Sequence, residues 1–250
     1  MTLQKLFFSC GRAIALACLA LQMHAAAASI VITGTRVIYK ATDAETTVKL
    51  NNSGVMPVLA QIWLDTGDSN ASPDTLDVPF TITPAVARID PGKAQTLRIA
   101  YTGEPMPVDR ESVLWLNVLE IPPKPGAVNA SEATGSTLQL AFRTRIKFFF
   151  RPARLPGTAA DAPATLRWAA AANKQISVSN PSAFNVSLGA LHVTAGAQKS
   201  VYLRGGMIEP GGALTLPLTG DAPLQAGAEI QFETINDFGG ITQHSAKLAN

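Results

Sequence analysis

Cysteine is nearly absent from this chain. Its 250 residues include only Cys10 and Cys18, and both lie in an apolar N-terminal stretch. Residues 1–28 combine a short basic start, an apolar core and small residues at the end, which is typical of a secretory signal. The apolar core is shorter than the roughly 20 residues that a membrane-spanning helix needs. We therefore expect cleavage near Ala28, export, and a mature chain that is stable without disulfides.

Charged residues and histidines are also scarce. Only 15% of the residues are charged, and losing Lys5 and Arg12 with the leader leaves 18 basic residues against 18 acidic ones. This neutral balance argues against a nucleic-acid partner. His192 and His244 have neither metal-site spacing nor a nucleophile beside them, and no glycine-rich phosphate loop is present. We therefore expect no enzyme activity, no metal site and no cofactor.

Long helical patterns are missing after residue 29. Short β-branched and apolar runs replace them, beginning with residues 29–39 and recurring at intervals of about 8–12 residues between turn clusters. The proline-rich run RPARLPG at 151–157 interrupts this series. The pattern predicts an all-β protein with a signal peptide at 1–28 and two β-sandwich domains at 29–152 and 155–250.

Residues 138–150 read LQLAFRTRIKFFF and form the most informative strand signal. Leu138, Leu140 and Phe142 share one face at the strand period of two. Their stripe could fill the core of its own domain, or it could belong to an edge strand that is kept for a partner. The alternation alone leaves both interpretations open.

Spaced motifs in this chain resemble those of one known family, the PapD-like periplasmic chaperones of pilus assembly. They cover nearly the whole mature chain: TRVIY at 35–39, PAVARIDPG at 84–92, DRESVLWLNVLEIPP at 109–123, LQL at 138–140, RIKFFFRP at 145–152 and INDFGG at 235–240. The resemblance implies two immunoglobulin-like domains in an L-shaped, boomerang arrangement with a cleft between them. It also implies location in the periplasm.

The resemblance further implies a strand that is lent to a partner. Pilus subunits of this system lack their last strand, and the chaperone inserts the last strand of its own first domain into the open groove. Leu138, Leu140 and Phe142 would then occupy the hydrophobic groove of the subunit. Arg36 and Lys147, by their positions in the motifs, would hold the C-terminal carboxylate of the subunit.

A second set of charges is implied by the same resemblance. Glu111, Arg151 and Asp237 would link the two domains and fix the angle of the cleft. Phe142 and Lys147 are five residues apart, so either the strand bulges or twists between them, or its two faces serve different parts of the partner. The connection at 124–137 is rather long for the short-loop branch of the family, yet the short N-terminal strand and the lack of cysteine favour that branch.

The expected partners are pilus subunits and an outer-membrane usher that receives them, and self-association of unloaded chains through the lent strand stays open. The alternative function is a secreted two-domain adhesin or structural fimbrial component, which would share the export and sandwich signals. A pilus subunit would need an N-terminal donor extension and usually a disulfide, and neither is present.

Overall fold

The computed structural model describes residues 28–123 and 139–249. Strands dominate these residues, and two short 3-10 helices, Pro73–Thr75 and Ala162–Thr165, complete the regular structure. The described residues include no helix that is long and apolar enough to cross a membrane. The expected leader and the long connection at 124–137 lie outside the described residues.

In the described residues, nine strands build the first domain. They are β1 (Ile30–Ile32), β2 (Arg36–Lys40), β3 (Glu45–Asn52), β4 (Val58–Asp65), β5 (Phe80–Thr83), β6 (Val86–Ile89), β7 (Ala94–Tyr101), β8 (Ser112–Ile121) and β9 (Phe142–Arg151). One sheet has the order β1-β3-β7-β5 and the other the order β2-β9-β8-β4-β6. Most neighbours are antiparallel, but β2 runs parallel to β9.

Nine further strands build the second domain. They are β10 (Arg167–Ala171), β11 (Gln175–Ser179), β12 (Val186–Ala195), β13 (Gln198–Tyr202), β14 (Gly206–Ile208), β15 (Ala213–Pro217), β16 (Thr219–Gly220), β17 (Glu229–Ile235) and β18 (Ile241–Lys247). Its smaller sheet has the order β10-β11-β15. Its larger sheet has the order β16-β13-β12-β17-β18, with β14 also paired to β12.

Each domain has its own hydrophobic core. Alternating residues from both sheets fill the first core, where Phe148 and Phe150 pack against the rings of Tyr39 and Phe80. The second core is centred on Trp168 and the side chains of β12 and β17. Two cores of this kind confirm the prediction of an all-β protein with two sandwich domains.

The first predicted strand, residues 29–39, is divided in the structure. Gly34 adopts a positive φ of 97° between β1 and β2, a backbone conformation that glycine reaches without strain. The break lets β1 pair with β3 in one sheet while β2 pairs with β9 in the other. The division matters for the site, because it places Arg36 at the start of β2, beside β9.

Candidate functional site

The parallel pairing of β2 and β9 sets Arg36 directly opposite Lys147. Both side chains reach across to the second domain. Lys147 Nζ donates a hydrogen bond to Ser187 Oγ at 3.0 Å, and Arg36 Nη1 lies 3.5 Å from the same oxygen. Arg36 Nη1 also donates to the carbonyl oxygen of Ile235 at 2.9 Å. The structure thus brings together the two predicted carboxylate-binding residues, here called the cation pair.

The electrostatics of the cation pair are unfavourable in the unloaded chain. Within residues 28–123 and 139–249, neither Arg36 nor Lys147 forms an ion pair with a carboxylate. Burial, and then the charge of Arg36, lower the pKa of Lys147 to about 8. Burial also lowers the pKa of Arg36, against the opposing pull of Asp237 and Glu111. A bound anion would relieve both costs.

Arg36 of the cation pair lines a cleft between the domains, and Lys147 is bonded to Ser187, another lining residue of that cleft. A cavity of about 270 Å³ opens there, with Arg36 and Phe149 on the side of the first domain. Glu111 of the first domain also lines the cavity, and the second domain supplies the other residues, including Ser187, Ile235 and Phe238. Arg36 Nε is buried and has no hydrogen-bond partner among the described residues. The cleft can therefore offer N–H donors and positive charge to an extended chain end.

Glu111, Arg151 and Asp237 also come together, as predicted for an interdomain charge cluster. Arg151 Nε donates to Glu111 Oε1 at 2.8 Å, and its two terminal nitrogens donate to the Asp237 carboxylate at 2.7 and 2.9 Å. Glu111 Oε2 in turn accepts bonds from the backbone N and the side-chain amide of Asn185 at 3.0 and 3.1 Å. The cluster therefore ties β9 to two loops of the second domain.

All three guanidinium nitrogens of Arg151 donate hydrogen bonds to Glu111 or Asp237. Burial acts to lower the pKa of Arg151, but the hydrogen bonds and charges of Asp237 and Glu111 outweigh it and raise the pKa. The fork of N–H groups on a guanidinium suits two carboxylates at once. The role proposed for this cluster is to hold the domain angle, because its bonds cross from one domain to the other.

The segment predicted to be lent to a subunit, which carries Leu138, Leu140 and Phe142, is described only in part. Leu138 lies outside the described residues. Leu140 precedes β9 with 46% of its surface exposed, and Phe142 begins that strand half-buried. The prediction placed a strand over residues 138–150, but the described strand starts only at Phe142. Gln139 fixes the chain here through bonds from its amide to the carbonyl oxygens of Pro122 and Pro123.

The change of face between Phe142 and Lys147 has a simple geometry. The pairing of β9 with β8 runs without a register shift from Phe142 opposite Glu120 to Phe150 opposite Ser112. Within the described strand there is no bulge, so Phe142 and Lys147 lie on opposite faces. The structure therefore excludes a bulge between these two residues within the described strand.

Sequence reasoning missed a buried charge beside the site. Asp65 at the end of β4 is fully buried, with bonds from the Asn117 amide at 2.7 Å and Arg145 Nε at 3.0 Å. Burial acts to raise the pKa of Asp65, yet the bonds from Arg145, Asn117 and the Gly67 backbone N hold it below its ordinary value. The aspartate that ends an apolar strand was the only available signal.

Two family models match the chain. One describes the pili and flagellar-assembly chaperone PapD N-terminal domain and matches residues 29–156. The other describes the pili assembly chaperone PapD C-terminal domain and matches residues 161–246. Together they cover both sandwich domains and the cleft between them.

Two curated chaperones are similar to this chain over most of its length. The probable fimbrial chaperone YadV of Escherichia coli K12 is 44% identical over 226 residues, which is 88% of this chain and 90% of that protein. The chaperone protein FimB/FhaD of Bordetella pertussis is 44% identical over 246 residues, covering 95% and 96%.

A solved structure agrees as well. The crystal structure of the YadV chaperone matches with a TM-score of 0.74 at 40% identity, covering 88% of this chain and all of that one. The matched models and relatives span both domains, and they favour a chaperone over an adhesin. This chain belongs to the PapD family of pilus-assembly chaperones.

Proposed function

We propose that this chain works in the periplasm, where it caps pilus subunits by lending them a strand and passes them to an outer-membrane usher. A structural relative supports the choice of partner. The Salmonella enterica SafB chaperone has been solved in complex with the SafA pilin, and that structure matches with a TM-score of 0.71 at 30% identity over 90% of this chain. In this proposal residues 29–152 and 155–250 form the two domains after cleavage near Ala28.

The observation that carries the proposal is the cation pair in the cleft. Arg36 and Lys147 lie opposite each other, half-buried, and have no carboxylate partner within the described ranges. Burying two like charges side by side is costly unless an anion compensates them. The C-terminal carboxylate of a subunit fits this need, because it can accept bonds from both a guanidinium and an ammonium group.

The lent strand follows from the anchor. A subunit chain that ends at the cation pair would run along β9 toward Phe142, and then past Leu140 and Leu138. β2 pairs only with Lys147–Arg151 of β9, so backbone hydrogen bonds along the part of β9 beyond β2 would give affinity that does not depend on the sequence of the subunit. The three apolar side chains would fix the register, each contributing about 1.5–3 kcal/mol at most by burial. Unloaded chains could protect the same segment by pairing with each other.

The interdomain charge cluster would maintain the geometry of the cleft while subunits bind and dissociate. Its bonds join Arg151 on β9 to Asp237 on one loop of the second domain, and Glu111 to Asn185 on another. A carboxylate anchor needs Ser187 and Ile235 at a fixed distance from β9, since both contact the cation pair. We therefore assign the cluster a positioning role and no direct contact with the subunit.

The test is capture of a subunit in the periplasm. The chain is co-expressed with each of the pilus subunits encoded near its gene, and the soluble complex is purified on a tag. Arg36→Ala and Lys147→Ala should each abolish capture, while Lys49→Ala removes an exposed cation on β3 and serves as the matched control. Circular dichroism and urea unfolding check that every variant is folded.

A separate arm addresses the lent strand. Leu140→Asp should prevent capture without lowering stability, since Leu140 is exposed in the unloaded chain. Undiminished capture by folded Arg36→Ala and Lys147→Ala variants would show that the anchor is assigned wrongly. Undiminished capture by Leu140→Asp would show that the subunit docks elsewhere.

A further inference from the structure

Glu120 is a buried carboxylate that subunit capture does not use. It stands on the core-facing row of β8, in line with the apolar residues Leu116 and Val118, and only 7% of its surface is exposed. A charged side chain in such a row is costly unless it is both hydrogen-bonded and paired with an opposite charge. Within the described part of the chain, Glu120 forms no ion pair with any lysine, arginine or histidine.

Among the described residues, the three hydrogen bonds to the Glu120 carboxylate come from the two residues at the start of the first domain. Its Oε2 accepts from the backbone N of Ser29 at 2.8 Å and of Ile30 at 2.9 Å. Its Oε1 accepts from Ser29 Oγ at 2.6 Å. The carboxylate therefore accepts bonds from the Ser29 nitrogen and from two donors next to it, Ser29 Oγ and the Ile30 nitrogen.

Ser29 is held from its other side as well. Its carbonyl oxygen accepts bonds from Ser53 N at 2.8 Å and from Ser53 Oγ at 3.0 Å. Gly54 lies so close that a Cβ atom at that position would stand 2.5 Å from Ser29 Cβ. Glycine at position 54 thus leaves room for the Ser29 side chain, and the bonds from Ser53 fix the position of the Ser29 backbone.

We propose that Glu120 binds the α-ammonium group of Ser29 after the leader has been removed at the Ala28–Ser29 bond. Hydrolysis of that bond adds hydroxyl to the Ala28 carbonyl carbon and hydrogen to the Ser29 nitrogen, and the new amine takes up one further proton at neutral pH. The bond follows Ala26 and Ala28, which match the small residues that signal peptidases require. The new positive charge then lies beside the buried carboxylate and becomes its ion-pair partner.

This pair would join the two sheets of the first domain. Ser29 leads into β1, which belongs to the sheet with β3, whereas Glu120 belongs to the sheet with β9. Export and processing would then complete the first domain, because the charge appears only when the leader is cut at this bond. The inference depends on leader removal but not on subunit capture. If the ion pair is disproved, the proposed capture of subunits is unaffected, and if capture is disproved, the ion pair is unaffected.

The first test is the intact mass of the protein isolated from the periplasm. We expect the mass of residues 29–250. A mass corresponding to any other first residue would overturn the proposal, whatever the behaviour of the variants.

The second test compares two mature chains, one starting at Ser29 and one starting at Ala28, in urea unfolding at low ionic strength. The extra residue moves the ammonium group by about 3.5 Å and returns the Ser29 nitrogen to a neutral amide. We expect the unfolding equilibrium constant to rise about tenfold in the longer chain. In the Glu120→Gln background the two starts should differ less than about twofold.

Glu229→Gln, which removes an exposed carboxylate in the second domain, is the matched control and should keep the tenfold difference. An equal difference between the two starts in the wild-type and Glu120→Gln backgrounds would contradict the proposed ion pair.

Discussion

Lys147 and Arg151 lie on the same face of β9, four residues apart, and their surroundings differ completely. Arg151 binds two carboxylates and has a raised pKa. Lys147 has a hydroxyl as its hydrogen-bond partner, faces another cation, and has a pKa lowered to about 8. The first arrangement stabilises the unloaded protein, whereas the second costs stability until an anion binds.

The two arginines nearer the start of β9 also differ from Lys147, because both have a carboxylate partner. Arg145 binds the buried Asp65 and lies over the Trp115 ring at 4.2 Å, and Arg143 lies over the Trp63 ring at 4.8 Å. Among the outward-facing cations of the described strand, Lys147 alone has no carboxylate partner. Groups with perturbed pKa values cluster at functional sites, so this difference is the one that the proposed function requires between structural cations and a cation that binds a subunit.

Removing the paired cation should have the largest effect on stability. Arg151→Met should lower the free energy of unfolding by about 3–5 kcal/mol, because it leaves Glu111 buried without its partner. Urea unfolding followed by tryptophan fluorescence measures the loss. A cost below about 1 kcal/mol would mean that the interdomain charge cluster is dispensable for stability.

Asp65 offers a second, smaller test of a paired site. Asp65→Asn should cost about 2 kcal/mol at pH 7, since Arg145 loses a charged partner but can regain water. The folded pKa of Asp65 lies below its ordinary 3.8, so its contribution is present above about pH 4 and is lost as the pH falls through the folded value. Wild type should therefore lose stability more steeply below pH 4 than Asp65→Asn. Parallel acid profiles would contradict this assignment.

The unpaired cation should behave in the opposite sense. Lys147→Met should stabilise the unloaded chain at pH 7 by about 1 kcal/mol, a modest value because the ammonium group keeps part of its hydration. The folded pKa of about 8 lies below the ordinary 10.5, so the unfolded chain binds more protons between these values. Wild-type stability should therefore gain from this group as the pH rises from 8 to 10.5, and Lys147→Met should lack the gain. Lys49→Met controls for the loss of a lysine on the surface.

Much of the fold could be predicted from the sequence, because strand alternation and turn residues are local signals. The short apolar runs between turn clusters indicated β-sandwiches without knowledge of the rest of the chain. The division of residues 29–39 at Gly34 could not be predicted, since it depends on which sheet each half joins. β9 likewise begins later than the apolar pattern indicates, at Phe142.

The residues of the functional site were likewise predicted only in part. The motifs assigned Arg36 and Lys147 to one carboxylate site and grouped Glu111 with Arg151 and Asp237. The buried Asp65 and Glu120 were missed, because their partners are far away along the chain and no local pattern marks a carboxylate as buried. Ser187, which contacts both members of the cation pair, was missed for the same reason.

The most direct measurement compares a pilus subunit that has a free C-terminal carboxylate with the same subunit carrying a C-terminal amide. Binding of each is measured for wild type and for the doubly substituted Arg36→Ala/Lys147→Ala variant. If the cation pair holds the carboxylate, amidation weakens wild-type binding roughly tenfold or more and changes binding to the variant less than about twofold. An equal loss in both proteins would show that Arg36 and Lys147 do not bind the end of the subunit.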